Sequence, residues 1–205
     1  MQLQRPEFQN FIAHLRQRVV LSDDEMEMIL SKVQIKRLRK REVFIALGEV
    51  CRHEAYVNKG VLRAAYLDEK AHEHVVQFAF EDWWIADMLS FLTGQPSRTF
   101  IDALEDSELL IIDRADAEWL YEQVPAFERA FRLLLQNAFI ALQSRFMDSL
   151  SLSAEVRYTQ LIKRFPHLEL RVAQHHIASF LGITPEALSR IRKSIVNKER
   201  LQSNA

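Results

Sequence analysis

This chain of 205 residues contains little cysteine and glycine, and its positive and negative charges nearly balance. A single cysteine, Cys51, excludes an internal disulfide and a cysteine-ligated cluster, and it fits a reducing cytoplasm. The presence of only 4 glycines argues against a glycine-rich phosphate loop. The formal net charge of -1 excludes a generally basic protein, so any affinity for nucleic acid must be local.

Long apolar runs and catalytic signatures are also missing from the sequence. No run is long and apolar enough to cross a bilayer, and the N-terminus lacks the basic-then-apolar pattern of a signal peptide. We therefore expect a cytoplasmic protein. The sequence contains no HExxH motif, nucleophile elbow or clustered metal ligands, so we expect no enzymatic activity, no metal and no cofactor.

The residues that are present indicate an ordinary globular chain with one large domain or two small ones. Apolar periodicity predicts helices over about 8–33, with Ser22 and Glu25 forming a capping box at the second helix. Short β-rich runs separated by turns follow between Val43 and Asp113, and they predict an antiparallel sandwich or barrel. Short helices are expected within 85–96 and over 116–123.

A long helix is predicted from Pro125 to about Leu150, and its apolar residues cover more than one face. A helix that is apolar on most sides must be buried on most sides. One face can pack on the β-rich region, and we predict that a second copy of the helix covers the other across a two-fold axis. The Phe127–Leu150 segment would then form a homodimer. The alternative is a central helix inside the core of a monomer.

Two short helices joined at a glycine lie near the C-terminus. After a hinge at Ser151–Glu155, a helix over about 154–165 and an extended connector over 168–172 are expected. Gly182 then ends the first helix of the pair, Thr184 caps the second and Pro185 takes its first position. Such a pair commonly places its second helix in the major groove of DNA, although an ordinary helical hairpin has the same pattern.

The second helix of the pair carries a local excess of basic residues. These are Arg190, Arg192, Lys193, Lys198 and Arg200, opposed by Glu186 and Glu199. A basic stripe is typical of phosphate contact, Arg can bridge guanine O6 and N7, and Glu can accept a hydrogen bond from cytosine N4. We predict a DNA-binding set of Thr184, Glu186, Ser189, Arg190, Arg192 and Lys193. His175 and His176, on the first helix, are expected to face phosphate or solvent.

This order of elements resembles the Crp/Fnr family of transcription regulators over nearly the whole chain. The Glu-x-x-Ser-Arg pattern of the family's recognition helix is present as Glu186, Ser189 and Arg190. The resemblance implies an α+β fold with an N-terminal antiparallel β-roll of the cyclic nucleotide-binding type, a long dimerisation helix and a C-terminal helix-turn-helix domain. The corresponding ranges are 1–124, 125–150 and 151–205. It also implies a homodimer on palindromic double-stranded DNA, with RNA polymerase a candidate further partner.

The resemblance places an effector pocket at Asp87, Arg98 and Thr99. Nucleotide-binding members carry a Gly-Glu pair followed by Arg-Ser or Arg-Thr, and this chain has Ala86-Asp87 and Arg98-Thr99. The side chain of Asp is shorter than that of Glu, which argues against a direct contact with the ribose. We therefore expect that cAMP is not the effector, that Arg98 is equally able to pair with Asp87 or Asp102, and that another small molecule, or none, is bound.

Other interpretations remain open at this point. Cys51 and His53 could supply axial ligands to a haem, and His72 and His74 could bind a metal, but neither pair is a complete site. The chain could also be a ligand-binding or protein-interaction module that has lost DNA recognition. An enzyme of the β-roll type, related to sugar isomerases or dioxygenases, would need three converging metal ligands that the sequence does not display.

Overall fold

The computed structural model of the protein describes the backbone of residues 2–203 and the side chains of residues 2–198. The basic stripe's Arg200, together with Glu199, therefore lies outside the residues whose side chains are described. Two helical turns, Gln2–Gln4 and Pro6–Phe8, lead into helices α1 (Gln9–Arg16) and α2 (Asp23–Ser31).

Helix α2 begins with the predicted capping box. The Ser22 hydroxyl accepts a hydrogen bond from the Glu25 N–H at 3.2 Å, and the Glu25 carboxylate accepts one from the Ser22 N–H at 2.8 Å. Two N–H groups that have no partner inside the helix are satisfied in this way, so the prediction is confirmed.

Within residues 2–203, eight strands form two antiparallel four-stranded sheets that pack as a roll. The strands are β1 (Gln34–Leu38), β2 (Val43–Ile45), β3 (His53–Lys59), β4 (Leu62–Leu67), β5 (Glu73–Ala79), β6 (Trp84–Ile85), β7 (Phe100–Ala103) and β8 (Ser107–Asp113). Their orders are β1-β8-β3-β6 and β2-β7-β4-β5, so β5 lies at an edge. The predicted antiparallel β fold is confirmed. Strands β1 and β6 were not predicted. Strand β1 precedes the first predicted β-rich run, and the two residues of β6 are too few to display an alternating pattern.

Seven further helices complete the described part of the chain. They are α3 (Met88–Thr93), α4 (Arg114–Gln123), α5 (Pro125–Ser151), α6 (Ala154–Arg164), α7 (Leu168–Arg171), α8 (Gln174–Leu181) and α9 (Pro185–Ser203). The expected extended connector over 168–172 is wrong, because the segment is a helical turn. The Val172 N–H bonds back to the Leu168 carbonyl at 2.8 Å, which closes one helical turn, and both side chains are buried.

An aromatic cluster joins the N-terminal helices, the roll and the start of α5. The Tyr56 ring lies 5.2 Å from Phe11 and 5.8 Å from Trp84, and Trp84 lies 4.6 Å from Phe131 on α5. These rings belong to a continuous core that fixes the first two turns of α5 to the roll. Within residues 2–203, no helix is both long and apolar enough to cross a membrane.

A second core joins the roll to the C-terminal helices. Val61, in the turn before β4, and Val75 and Phe78 of β5 pack with Ile177 and Leu181 from α8. Rings add to this junction, since Phe78 lies 5.1 Å from Phe180 and Phe80 lies 5.2 Å from Phe165. The C-terminal helices are therefore docked on the roll through shared apolar packing.

Candidate DNA-binding surface and effector region

Helices α8 and α9 form the predicted helix-turn-helix, and local signals set its geometry. Gly182 adopts φ +67° and ψ +33°, a left-handed conformation that costs glycine nothing, and ends α8. The Ile183 N–H then bonds back to the Ala178 carbonyl at 3.0 Å. The Thr184 hydroxyl accepts a hydrogen bond from the Ala187 N–H at 3.2 Å, which caps α9 in front of Pro185. The predicted roles of Gly182 and Thr184 in the turn are confirmed.

The face that α9 presents to solvent follows from the face that it buries. Leu188 is buried against α8, and this contact turns Glu186, Arg190 and Lys193 outward, where all three are exposed, with Ser189 half-buried beside them. Hydrogen bonds from its own N–H and with Thr184, together with the charge of Arg190, lower the pKa of Glu186. A carboxylate and two cations are therefore available side by side on one exposed helix face.

Arg192 and Lys198 are placed differently from the other basic residues of α9. The Arg192 Nε lies 2.8 Å from a Glu169 carboxylate oxygen on α7, and the Lys198 Nζ lies 2.5 Å from Glu155 on α6. Arg192 is on the inner side of the predicted set, next to a shallow depression of about 480 Å³ that Ser189, Lys193 and Val196 also line. The structure thus groups Glu186, Ser189, Arg190 and Lys193 on one face and holds Arg192 to its own domain.

Helix α8 is bound to the edge strand β5 by polar contacts that sequence reasoning missed. The Ser179 hydroxyl accepts from the Val75 N–H at 3.0 Å and donates to the Glu73 carbonyl at 2.8 Å, so the helix covers an otherwise open sheet edge. The His176 ring contacts Arg63 of β4 at 2.8 Å. The expectation that His176 faces phosphate or solvent is therefore wrong, whereas His175 is exposed.

The second half of α5 exposes an apolar stripe. Leu135, Phe139, Leu142, Phe146 and Leu150 lie on one side of the helix, with Phe139, Phe146 and Leu150 exposed by 66%, 63% and 74%. Their spacing of three or four residues is that of a coiled-coil seam. The opposite side faces the chain itself, where Arg145 donates to the Val76 carbonyl at 2.5 Å and lies over the Phe180 ring. The alternative of a helix buried inside a monomer is therefore wrong for this segment.

The predicted effector residues form a closed hydrogen-bond cluster around Asp87. One carboxylate oxygen caps α3 by accepting from the Ser90 N–H at 3.1 Å, and the other accepts from Ser97 at 2.5 Å and Thr99 at 2.8 Å. Burial opposes ionisation, but the hydrogen bonds from Ser97, Ser90 and Thr99 outweigh it and lower the pKa of Asp87. The structure brings Asp87 and Thr99 together through the buried Ser97, which sequence reasoning had not identified.

Arg98 lies apart from that cluster. Its side chain is exposed, and no carboxylate among residues 2–198 lies within ion-pair distance of it. The pairing with Asp87 or Asp102 that the sequence suggested is wrong, because Asp87 is bound to Ser97 and Thr99, and Asp102 pairs with Arg63 at 2.8 Å.

The residues considered as haem or metal ligands make contacts within the chain. Cys51 is buried with its thiol directed at the His53 carbonyl, and burial raises the pKa of this thiol. His72 and His74 both contact Asp68, at 3.2 and 3.1 Å. Within the described side chains, no three His, Cys, Asp or Glu residues are arranged to hold a metal ion.

Comparisons with known proteins agree with this architecture. Residues 35–124 match the family model of the cyclic nucleotide-binding domain. No curated protein sequence matches the chain. Among solved structures, the c-di-GMP responsive global regulator CLP of Xanthomonas campestris is 14% identical with a TM-score of 0.71, covering 87% of this chain and 93% of its own.

Two further structures share the fold. FixK2 of Bradyrhizobium japonicum is 17% identical with a TM-score of 0.68, over 82% of this chain and 86% of its own. A protein assigned to the crp/fnr family of transcriptional regulators, from Eubacterium rectale, is 15% identical with a TM-score of 0.68, over 95% and 89%. At this level of identity the likeness establishes the fold, and it confirms the architecture predicted from the sequence.

Proposed function

We propose that this chain, which has a cyclic nucleotide-binding domain and the fold of Crp/Fnr regulators, is a cytoplasmic homodimeric transcription regulator that binds palindromic DNA. The observation that carries the proposal is the exposed face of α9. Glu186, Ser189, Arg190 and Lys193 share this face, and the turn that presents them is fixed by Gly182 and Thr184.

Each residue on this face has a chemical role in the proposal. Arg190 reads guanine through its O6 and N7 atoms, and Glu186 accepts from cytosine N4. Lys193 and Ser189 bind the adjacent phosphates, and the exposed Thr184 at the helix N-terminus adds a phosphate contact. Arg192, which is held by Glu169, supports the position of α9 and reaches phosphate only from the inner side of the helix.

The dimer supplies the second recognition helix. Pairing two copies of α5 along Leu135, Phe139, Leu142 and Phe146 would bury the apolar stripe and relate the two α9 helices by a two-fold axis. Two half-sites about 34 Å apart, one turn of the duplex, fit such an arrangement. RNA polymerase is a further partner that the proposal allows.

We propose that cAMP is not the effector of this protein. The Asp87 carboxylate, at the position where nucleotide-binding members carry Glu, already accepts three hydrogen bonds from within the chain. A ribose hydroxyl would have to displace Ser97 or Thr99 from it. This supports an effector of another kind, or regulation without one.

Selection of bound duplexes from a random palindromic library, followed by measured affinities at fixed salt, tests the proposal. The expected result is one preferred palindrome, with Arg190→Ala losing about 1–3 kcal/mol and tolerating other bases at one position of each half-site. Arg52→Ala is the matched control, since it removes the same charge from an exposed position on the roll. Equal weak binding to every duplex would overturn the proposal and favour an interaction module.

A further inference from the structure

Five basic residues occupy six consecutive positions where β1 turns into β2. They are Lys36, Arg37, Arg39, Lys40 and Arg41. Arg37 pairs with Glu108 at 2.9 Å, and the Lys36 ammonium lies over the Phe44 ring. The remaining three, which we name the basic turn, are exposed, and none of them forms an ion pair within residues 2–198.

The acidic residues beside the basic turn are already engaged by its backbone. Glu42 accepts a hydrogen bond from the Arg39 N–H at 2.9 Å, and Asp106 accepts one from the Lys40 N–H at 2.8 Å. These carboxylates therefore hold the shape of the turn and leave the side-chain charges of Arg39 and Lys40 without a partner in the chain.

Arg41 reinforces this arrangement. It has φ +72°, a left-handed conformation in which an arginine is strained and a glycine would not be. Its N–H bonds to the Ala103 carbonyl at 2.7 Å, which holds the conformation in place. A strained arginine at the tip of a charged turn points to a role beyond folding.

A series of contacts leads from the basic turn to the recognition helix. Asp106, which holds Lys40, follows Glu105, and Glu105 pairs with Arg171 of α7 at 2.5 Å. On the same short helix, Glu169 pairs with Arg192 of α9. The turn is therefore on the part of the roll that adjoins the DNA-binding helices.

We propose that the basic turn binds backbone phosphates of the same duplex, outside the half-site that α9 reads. The inference rests on the proposed function. Three unpaired cations suit a surface with one phosphate charge per 1.7 Å, and such contacts would favour DNA that curves toward the roll. An acidic protein surface is the competing occupant, and the route through α7 to α9 favours DNA.

The test compares two duplexes that contain the selected palindrome, one of about 22 base pairs and one of about 40, across a range of salt. The wild-type protein is expected to bind the longer duplex more tightly and with a salt slope steeper by roughly 2–5, since each phosphate contact adds about 0.9. The variant Arg39→Gln/Lys40→Gln/Arg41→Gln is expected to bind both duplexes alike, with unchanged affinity for the shorter one.

A variant carrying Arg52→Gln, Lys59→Gln and Lys70→Gln serves as the matched control, because it removes three exposed charges elsewhere on the roll and should behave as wild type. Equal length dependence and salt slope in the basic-turn variant and the wild type would overturn the inference, whatever else the turn binds. Failure of the wild type to prefer the palindrome on the short duplex would instead overturn the proposed function.

Discussion

The Arg63 guanidinium lies 2.8 Å from Nδ1 of His176, and this contact joins the roll to the first helix of the helix-turn-helix. Arg63 is buried and also pairs with Asp102 at 2.8 Å and Glu73 at 2.6 Å. Because a guanidinium can only donate, the His176 nitrogen must accept and the ring must be neutral. Burial, Arg63 and His175 lower the pKa of His176 to about 4, while Glu73 opposes them.

We predict that the His176→Gln variant loses less stability than the wild type at acidic pH. The folded-state pKa of His176 is about 4 and the unfolded value is near 6.5, so its contribution is complete above pH 6.5 and is lost as the pH falls to about 4. The variant should lose about 1–2 kcal/mol less than wild type between pH 7.5 and 4.5, allowing for the partial exposure of the ring.

Denaturant unfolding at several pH values measures this difference. His14, whose pKa is also lowered to about 4 by burial, contributes equally to wild type and variant. His167→Gln is the matched control, because it replaces an exposed imidazole outside the contact with Arg63, and it should follow the wild-type pH profile. Parallel profiles for wild type and His176→Gln would show that the contact with Arg63 does not control the titration.

The carboxyl of Glu54, buried beneath α4, predicts that stability falls as the pH rises, which is opposite to the effect of His176. Glu54 is 4% exposed, and burial raises its pKa to about 8, with a weak hydrogen bond from Tyr121 lowering it and Glu118 raising it further. Because the folded state holds the Glu54 proton more tightly than the unfolded state, this group contributes stability that is fully present below pH 4.5. That stability is lost as the pH rises to about 8.

Glu54→Gln should therefore become more stable than wild type as the pH rises. The amide keeps an acceptor for Tyr121 without a charge, and the gain at pH 8.5 relative to pH 5 should be on the order of 2–4 kcal/mol. Unfolding free energies at the two pH values measure it, with the exposed Glu122→Gln as control. A difference between variant and wild type that does not change with pH would contradict the prediction.

Local signals explain how much of the helix-turn-helix was predictable. Gly182, Thr184 and Pro185 act within a few residues of their own positions, so the turn and the start of α9 followed from the sequence. The partners of His176 and Arg192 are distant in sequence, since Arg63 precedes His176 by 113 residues. Periodicity places a residue on a helix face and does not identify the element that packs against that face.

The effector region could be predicted only as a location. The resemblance placed Asp87, Arg98 and Thr99 in one site. The structure brings the Thr99 hydroxyl within 2.8 Å of the Asp87 carboxylate and leaves Arg98 exposed and apart from it. The role of the buried Ser97 depends on how the loop after α3 folds back on the cap of that helix. A short polar residue between Pro96 and Arg98 carries no pattern that would have identified it.

The turn between β3 and β4 supplies a backbone prediction. Gly60 has φ +104°, and a Cβ atom there would overlap the Ser107 hydroxyl oxygen and lie 2.8 Å from the Ser107 Cα. Gly60→Ala should cost about 2–4 kcal/mol, through backbone strain and this clash. Gly48→Ala is the control, since Gly48 has φ +83° with no atom within 4 Å of the added carbon, and should cost about 1 kcal/mol. Equal losses in chemical denaturation would rule out the steric contribution.

The closed cluster around Asp87 predicts the response to cAMP. A ligand at 100 times its dissociation constant raises the free energy of unfolding by about 2.7 kcal/mol, which would raise the Tm visibly. Because we expect cAMP not to bind, millimolar cAMP should leave the Tm unchanged.

Asp87→Ala should lower stability by about 2 kcal/mol because it removes a helix cap and two hydroxyl partners. Arg98→Ala, at an exposed position, should leave stability unchanged. An upward shift of the wild-type Tm with cAMP would contradict the prediction.

The exposed stripe on α5 predicts the oligomeric state. Each Phe buried between two copies contributes roughly 1.5–3 kcal/mol, and Phe139 and Phe146 each occur twice in a dimer. The wild type should be a dimer at micromolar concentration, and Phe139→Glu/Phe146→Glu should be a folded monomer, because these side chains touch little of their own chain. Sedimentation velocity measures both, and palindrome binding should fall with the loss of the dimer.

The control for this experiment lies on the same helix. Asn137→Glu/Ser144→Glu adds the same two charges at exposed positions on a side away from the stripe, and should remain dimeric. A monomeric wild type would remove the two-fold arrangement on which the proposed reading of two half-sites depends. A Phe139→Glu/Phe146→Glu variant that stayed dimeric would place the contact between copies on another surface. In a dimer joined along the stripe, the introduced glutamates of the two copies would be buried beside one another without a partner of opposite charge, and this would separate the copies.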